Sequence, residues 1–209
     1  MIIGKQVEGS SPPSIKSMAL RAFSSVAHSK YGVIADVGAG SGQLTQQLLS
    51  FADKIIMLDE YQSDNLPSNV VSIKSDLNQT WGIEDNSIDF LFSLEVVEHV
   101  ENPRHFFREI KRVLKPGGIG FVSTPNNLNV FSKMLFLLTG CHRYFQDNCY
   151  PAHISVLTEI ELKRILNENN LALNKVYYNY EDALPLLGMS IKWKLPSFSN
   201  STGVLFSKR

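Results

Sequence analysis

The run Val33-Ile34-Ala35-Asp36-Val37-Gly38-Ala39-Gly40-Ser41-Gly42, followed by Gln43-Leu44-Thr45-Gln46-Gln47-Leu48-Leu49, limits what this chain can fold into more than any other stretch. A short β-branched segment, a turn and an apolar-periodic segment read as strand, loop and helix. Glycines at positions 38, 40 and 42 allow positive φ and a close approach of backbone to a ligand, because no Cβ intervenes. The dinucleotide fingerprint needs a third glycine where Gln43 stands, and the phosphate loop needs a lysine after its glycines, which this loop lacks. What remains is an acid ahead of three alternating glycines. Asp36 repels a phosphate at short range and attracts an ammonium group. The expected ligand therefore carries a cationic amine and a nucleoside.

These residues resemble the S-adenosylmethionine-dependent methyltransferases of the Rossmann-like type. The resemblance implies that the glycine loop, with Asp36, Gly38, Ala39 and Gly40, holds the methionine part of S-adenosyl-L-methionine. Farther on, Lys54-Ile55-Ile56-Met57-Leu58 reads as a second buried strand ending at Asp59-Glu60. A carboxylate roughly 20 residues past a glycine loop accepts hydrogen bonds from ribose hydroxyls. Asp59 is the stronger candidate and Glu60 the second. Val70 to Lys74 reads as a third strand, and the resemblance puts Asp76 beside the adenine amine and Leu77 at its edge. Trp81 is equally suited to wall the adenine or to fill the core.

The stretch from Asp85 through Gly118 carries the resemblance further, toward the small-molecule methyltransferases of ubiquinone biosynthesis and related types. A polar turn leads into a fourth strand that ends in Ser93-Leu94-Glu95-Val96-Val97-Glu98-His99. On the resemblance, Ser93 and Glu95 join the cofactor-binding set. Asn102-Pro103 is a helix start, a capping side chain followed by proline at the first helical position. Phe106, Phe107, Ile110, Val113 and Leu114 form the apolar stripe of that helix. Lys115-Pro116-Gly117-Gly118 is expected to stop it ahead of a fifth strand over 119–123. The implied fold class is α/β, a Rossmann-like seven-stranded and mostly parallel sheet. Its last strand is antiparallel, helices cover both faces, and a cap segment is inserted after the fifth strand.

The 209 residues fit a single domain, with an arm and helix over 1–30 and a lid segment over 127–153. In the first of these, Ile15, Met18, Ala19, Ala22, Phe23 and Val26 mark one helical face, which suits packing on the sheet better than a lid. In the second, Val130, Phe131, Met134, Leu135, Leu137 and Leu138 are too few to span a bilayer, and a helix buried against the domain is favoured over an interfacial one. Thr158-Glu159-Ile160-Glu161 is a capping box with Leu157 and Leu162 as its staple. Residues 172–178 and 202–206 are expected to pair as closing strands, with a loop and a short helix over 181–200.

With 20 basic and 20 acidic side chains and no long block of either sign, the chain has no electrostatic footprint for a nucleic-acid backbone. The expected partner is a small-molecule acceptor, with no nucleic acid and no stable membrane insertion; a homo-oligomer and peripheral membrane contact are left open. Cytoplasmic residence is the default, since the amino terminus shows no signal-peptide pattern and two cysteines make no disulfide scaffold. Cys141, His142, Cys149 and His153 match no usual zinc spacing, so no metal is expected.

A hydroxyl acceptor must lose its proton, and imidazole titrates in the useful range. His99, past the fourth strand, and His153, before the capped helix, are the catalytic candidates, and in relatives a histidine at the latter place faces the acceptor. The Asn/Asp-Pro-Pro-Tyr/Phe motif of many amine methylases is missing after Phe92, which favours an oxygen or carbon of a saccharide, quinone or lipid-linked intermediate. A catalytically silent cofactor-binding module is the alternative. A nicotinamide-dependent dehydrogenase is disfavoured by Gln43.

Overall fold

The computed structural model describes residues 11–27, 29–179, 184–186, 189–191 and 195–209. In chain order the elements are α1 (Pro13–Ser24), β1 (Tyr31–Val37), α2 (Gln43–Leu48), β2 (Ala52–Asp59), β3 (Val70–Lys74), β4 (Ile88–Leu94), α3 (Pro103–Val113) and β5 (Leu114–Pro125). They continue with α4 (Val130–Thr139), α5 (Glu159–Glu168), β6 (Leu171–Tyr178), β7 (Leu184–Leu186), β8 (Met189–Ile191) and β9 (Ser201–Lys208). Seven strands form one sheet in the order β3-β2-β1-β4-β5-β9-β6, and β7 pairs with β8 apart from it. The pairs β3·β2, β2·β1, β1·β4 and β4·β5 are parallel, whereas β9 is antiparallel to both neighbours. The expected Rossmann-like sheet with an antiparallel last strand is present.

Period-two alternation divides the core between the two faces. Ala35, Val37, Ile56, Leu58 and Leu91 face α3 and α5, in a cluster with Phe106, Ile110, Leu162 and Leu166. Ile34, Ile55, Met57, Phe90 and Phe92 face α1 and α2, in a cluster with Met18, Phe23, Leu44 and Leu48. Asp36 shares the parity of Ile34, and the pleat therefore aims it at the α1/α2 side. This alternation at β1 sets up the binding end of the sheet.

Two capping arrangements match their sequence signals. Asn102 accepts from His105 N at 3.0 Å with Pro103 as the first helical residue, and Thr158 with Glu161 closes the capping box of α5. The stop after α3 differs from the expectation. Leu114 already pairs with Ile88, the register slips before Phe90 meets Ile119, and residues 115–118 form an excursion inside β5. Lys115 contributes by pairing with Asp89 at 2.7 Å.

The expectation that α4 is buried is overturned. Ser132 is its buried residue, accepting from Arg143 N at 3.2 Å beside His142, while Leu137 and Leu138 are more than 80% exposed. The apolar residues of this segment lie around more than one side of the helix, so a hydroxyl on the inward position decides the orientation. Val26 lies past the end of α1 and is half-buried, whereas Ile15 through Phe23 are buried as expected. Within 181–200, residues 184–186 and 189–191 form a hairpin instead of a loop, and Pro196–Phe198 is a short 3-10 turn. The remaining expectation there, and the arm over 1–10, lie outside the described residues.

Candidate active site

Ligands of open α/β sheets bind at the carboxyl ends of strands where the strand order reverses. Here that point lies between β1 and β4, and two clusters of polar residues meet at it. The first is the acid–glycine loop. Gly38, Gly40 and Gly42 have φ of +73°, +50° and +71°, the left-handed values for which glycine is suited. Gly38 N donates to Leu58 O at 2.7 Å and Gly40 N to Asp59 Oδ2 at 2.9 Å, so the end of β2 fixes the loop. Asp59 Oδ1 accepts from Tyr61 N at 3.2 Å, and each carboxylate oxygen retains a lone pair for a ribose hydroxyl.

Asp36 is 3% exposed and accepts from Thr45 Oγ1 at 2.7 Å. Loss of solvent pushes its carboxyl up to about 6, against the lowering hydrogen bonds from Thr45 and with a smaller raising effect of Asp59. A buried carboxylate so destabilised gains from a cation brought to it. The cleft it lines also takes in Ser11, Lys16, Gln43 and Leu94, with Lys16 Nζ bonded to Gln43 Oε1. Lys16 and Ser11 were not singled out from sequence, because nothing local in or just before α1 announces that its first turn borders the loop. Ala39, half-buried, belongs to the loop itself.

Of the other cofactor candidates, Asp76 is exposed at the end of β3 and accepts from Asn78 N at 2.8 Å, while Glu60 is exposed and Leu77 half-buried. Ser75 N donates to Asp59 O at 2.8 Å, which holds the β3 end beside the β2 end. Trp81 is 2% exposed and packs edge-on against Phe106 at 5.3 Å, which places it in the core. Ser93 is buried on β4.

The second cluster follows β4. Glu95 has φ of +56°, unusual for a side-chain-bearing residue, and turns the chain so that Val96 lies over Gly38; a Cβ there would meet Val96 Cγ2 at 2.3 Å. Ser123 Oγ donates to Glu95 Oε1 at 2.8 Å and Ser201 Oγ to Oε2 at 3.2 Å, yet desolvation pushes this carboxyl up to about 7. Glu98 is fully buried and accepts from Thr124 Oγ1 at 3.1 Å through Oε2, while its Oε1 has no protein partner. Burial, and then the charge of Glu95, hold Glu98 well above the ordinary carboxylate range.

The backbone carbonyl of Glu98 accepts from Ile154 N and Ser155 N, both at 3.0 Å. That clasp brings His153 against His99, with ring centroids 4.8 Å apart. His99 Nδ1 donates to Ala152 O at 2.7 Å and His153 Nδ1 to Tyr144 O at 2.6 Å. Because a carbonyl can only accept, both rings carry a proton on Nδ1 in these bonds, and the backbone of Glu95 also acts on His99. Burial lowers the His99 pKa and His153 lowers it further, against its bond to Ala152, so this ring is neutral at neutral pH. The two histidines picked out separately in the sequence are thus one constellation. Glu98 is the member that sequence reasoning left out of the site, although Glu95, Glu98 and His99 sit within one turn of chain.

Residues 35–122 match the family described as a methyltransferase domain. That match takes in the glycine loop, β4 and the Glu95–His99 turn, 88 of the 209 residues. The sheet around it is Rossmann-like, and the family match together with that fold implies S-adenosyl-L-methionine as the cofactor. Among curated proteins, the domain is similar to the mitochondrial ubiquinone biosynthesis O-methyltransferase of Dictyostelium discoideum, 33% identical over 112 residues, covering 44% of this chain and 35% of that one. The ubiquinone biosynthesis O-methyltransferase of Rickettsia typhi is 34% identical over 100 residues, covering 44% and 41%. The matched parts therefore span about two fifths of those relatives. A solved S-adenosylmethionine-dependent methyltransferase from Mesorhizobium loti superposes with a TM-score of 0.66 at 16% identity, over 91% of this chain and 96% of that one. The cyclase SpnF superposes with the same TM-score of 0.66 at 16% identity, over 92% and 80%, so likeness of fold alone does not fix the reaction. The glycine loop fits the cofactor of the methyltransferase domain on its own geometry: a buried carboxylate aimed into a narrow cleft, with backbone that approaches without side chains.

Proposed function

We propose that the protein transfers a methyl group from S-adenosyl-L-methionine to a hydroxyl oxygen of a small-molecule acceptor with an apolar body, such as a quinol or a lipid-linked intermediate. The observation that carries this reading is that the turn after β4 lays Val96 over Gly38 of the acid–glycine loop and, three residues on, sets His99 against His153 with ring centroids 4.8 Å apart. When bound, the cofactor supplies a methyl group made electrophilic by its sulfonium. The chain's part is to hold and to align, which can contribute on the order of 7–11 kcal/mol of the barrier. In this reading Asp36 takes the ammonium, Asp59 the ribose hydroxyls with Glu60 beside it, and Asp76 and Leu77 the adenine. Ser93 and Glu95 shape the wall between cofactor and acceptor.

On the acceptor side, His153 and His99 face the hydroxyl and handle its proton, His153 being the principal group. Residues 127–153 border the acceptor, and the exposed apolar side of α4 favours a substrate that itself has apolar surface. The two curated relatives compared above are named as O-methyltransferases, which favours oxygen over carbon as the methylated atom. Calorimetry with S-adenosylhomocysteine, followed by mass spectrometry of extracts supplied with methyl-labelled cofactor, tests the assignment. His153→Ala is expected to lower turnover with cofactor affinity within a few-fold of wild type. Binding of S-adenosylhomocysteine with no labelled product from any extract would leave a silent binding module, and absence of binding would end the reading altogether.

A further inference from the structure

We propose that Arg143 binds an oxyanion carried by the methyl acceptor, a carboxylate or a phosphoryl group, and so selects anionic acceptors over neutral ones. This deepens, and rests on, the reading of residues 127–153 as a border of the acceptor site of a methyltransferase.

Contacts on either side of Arg143 place it at the rim of that site. The carbonyl of the next residue, Tyr144, accepts from His153 Nδ1 at 2.6 Å, and the Phe145 ring packs against His153 with centroids 5.5 Å apart. On the other side, Arg143 Nη1 donates to Asn200 Oδ1 at 3.2 Å. Asn200 is tied to the end of β5, its carbonyl accepting from Asn126 N at 2.7 Å, and the residue after it, Ser201, donates through its hydroxyl to Glu95. The guanidinium therefore bridges the loop that positions His153 and the start of β9 that positions Glu95. It is also held in one orientation, which a solvated surface arginine is not. The backbone N–H of Arg143 donates to Ser132 Oγ at 3.2 Å, and its Cζ lies 5.3 Å from the Tyr144 ring centroid and 6.0 Å from that of Phe131. A planar fork fixed in this way loses little further freedom when it binds.

What this fork lacks is an anion. In Arg104 and Arg112 the edge formed by Nε and Nη2 holds both oxygens of a carboxylate, that of Glu168 and that of Glu109. Among the described residues no carboxylate lies within ion-pair distance of Arg143, whose guanidinium bonds instead to a neutral amide through Nη1. The edge that is closed in the other two is open here, on an exposed side chain. Residues 127–153 carry two permanent cations, Lys133 and Arg143, against one acid, Asp147, so the segment as a whole attracts an anion. A guanidinium takes a carboxylate or a phosphoryl group by two parallel N–H···O bonds, each about twice as strong as a neutral pair. Both bonds must lie in one plane, so the contact orients the acceptor as well as holding it. The hydroxyl to be methylated then has a second point of attachment that can set it toward His153.

The full-length protein, saturated with S-adenosylhomocysteine, is titrated by calorimetry with quinols that differ in one substituent: gentisate with a carboxylate, gentisamide with the neutral amide, and hydroquinone monophosphate with a phosphoryl group. At least one anion is expected to bind about tenfold or more tightly than the amide, and the tighter of the two identifies the source of the oxyanion. Arg143→Gln should abolish that preference. Arg143→Lys should restore only part of it, because an ammonium is a point charge without the fork, and Lys133→Gln should leave it in place. Affinity for S-adenosylhomocysteine should stay within a few-fold of wild type throughout. Anions that bind no more tightly than the amide, including the case in which none binds at millimolar concentration, overturn the proposal. A preference that survives Arg143→Gln overturns it as well. Should Arg143→Gln fail to fold, the comparison of wild type with Arg143→Lys carries the test. Wild type that binds S-adenosylhomocysteine but shows no preference for an anion removes the oxyanion and keeps the methyltransferase, whereas wild type that does not bind S-adenosylhomocysteine ends the methyltransferase reading itself.

Discussion

Replacing Asp36 with asparagine should make the ligand-free protein more stable and the cofactor site weaker, two effects of opposite sign from one atom change. Asp36 is 3% exposed, and desolvation raises its carboxyl from 3.8 to about 6. The folded state therefore holds this proton more tightly than the unfolded chain. Stability from this group is fully present below about pH 4 and is lost as pH rises through about 6. At about 1.36 kcal/mol per pH unit the rise amounts to roughly 3 kcal/mol at pH 8. Asparagine cannot ionise, which removes that loss. Its amide oxygen still accepts from Thr45 Oγ1, though a neutral acceptor gives up about 1 kcal/mol relative to a charged one. A net gain of about 1–3 kcal/mol at pH 8 and none at pH 4 is expected in urea unfolding. Calorimetry with S-adenosylhomocysteine should show wild-type affinity rising with pH through about 6 and the variant's flat and at least about tenfold weaker, since the ammonium loses its counter-charge. A variant no more stable than wild type at pH 8, with unchanged affinity, would refute both the burial cost and the ammonium contact.

Gly38→Ala places a methyl at φ of +73° and 2.3 Å from Val96 Cγ2, and should lower stability by about 1–3 kcal/mol in denaturant titration while disturbing cofactor affinity. Arg112 bonds Glu109 at 2.7 Å, Asp85 at 2.6 Å and the carbonyls of Ile83 and Trp81; Arg112→Met leaves the 5%-exposed Glu109 without its cation and is expected to cost about 3–5 kcal/mol, with Glu109→Gln in the same chain recovering part of it. Leu137→Glu with Leu138→Glu should leave the unfolding midpoint within about 0.5 kcal/mol of wild type, because both side chains face solvent. A loss of several kcal/mol would restore the buried-helix expectation. If the same double variant also loses binding to lipid vesicles that wild type shows, α4 has an interfacial part in presenting the acceptor.

The sheet was legible because its signals are local. Parity in Val33–Val37, the capping pair Asn102-Pro103 and the box from Thr158 to Glu161 each depend on residues within one or two turns of one another, and each stands in the structure where the pattern put it. The failures share a different property. At α4 the apolar residues outnumber what one face can hold, and the inward position went to Ser132 because a loop, residues 142–143, arrives to bond its hydroxyl. At 115–118 the Pro-Gly-Gly signal for a stop was real, yet Leu114 had already joined the sheet, so the turn became a bulge within a strand.

The site divides along the same line. Asp36, Gly38, Gly40 and Asp59 could be named because they belong to one strand–loop–helix–strand unit, and the Gly40–Asp59 bond at 2.9 Å links its two ends. His99 and His153 could be named singly as imidazoles at strand and helix ends, but their contact could not. It depends on the carbonyl of Glu98 accepting two amides from residues 154 and 155, and backbone groups carry no residue-specific signal in a sequence. Glu98 was overlooked for the converse reason: nothing local in Val96-Val97-Glu98-His99 marks its carboxylate, and only the closure of Thr124, Ile154 and Ser155 around it makes it a buried carboxylate with one oxygen unsatisfied. Residues whose chemistry is made by distant backbone are where this chain's function departs from its local pattern, and Glu98, His99 and His153 are joined in that way.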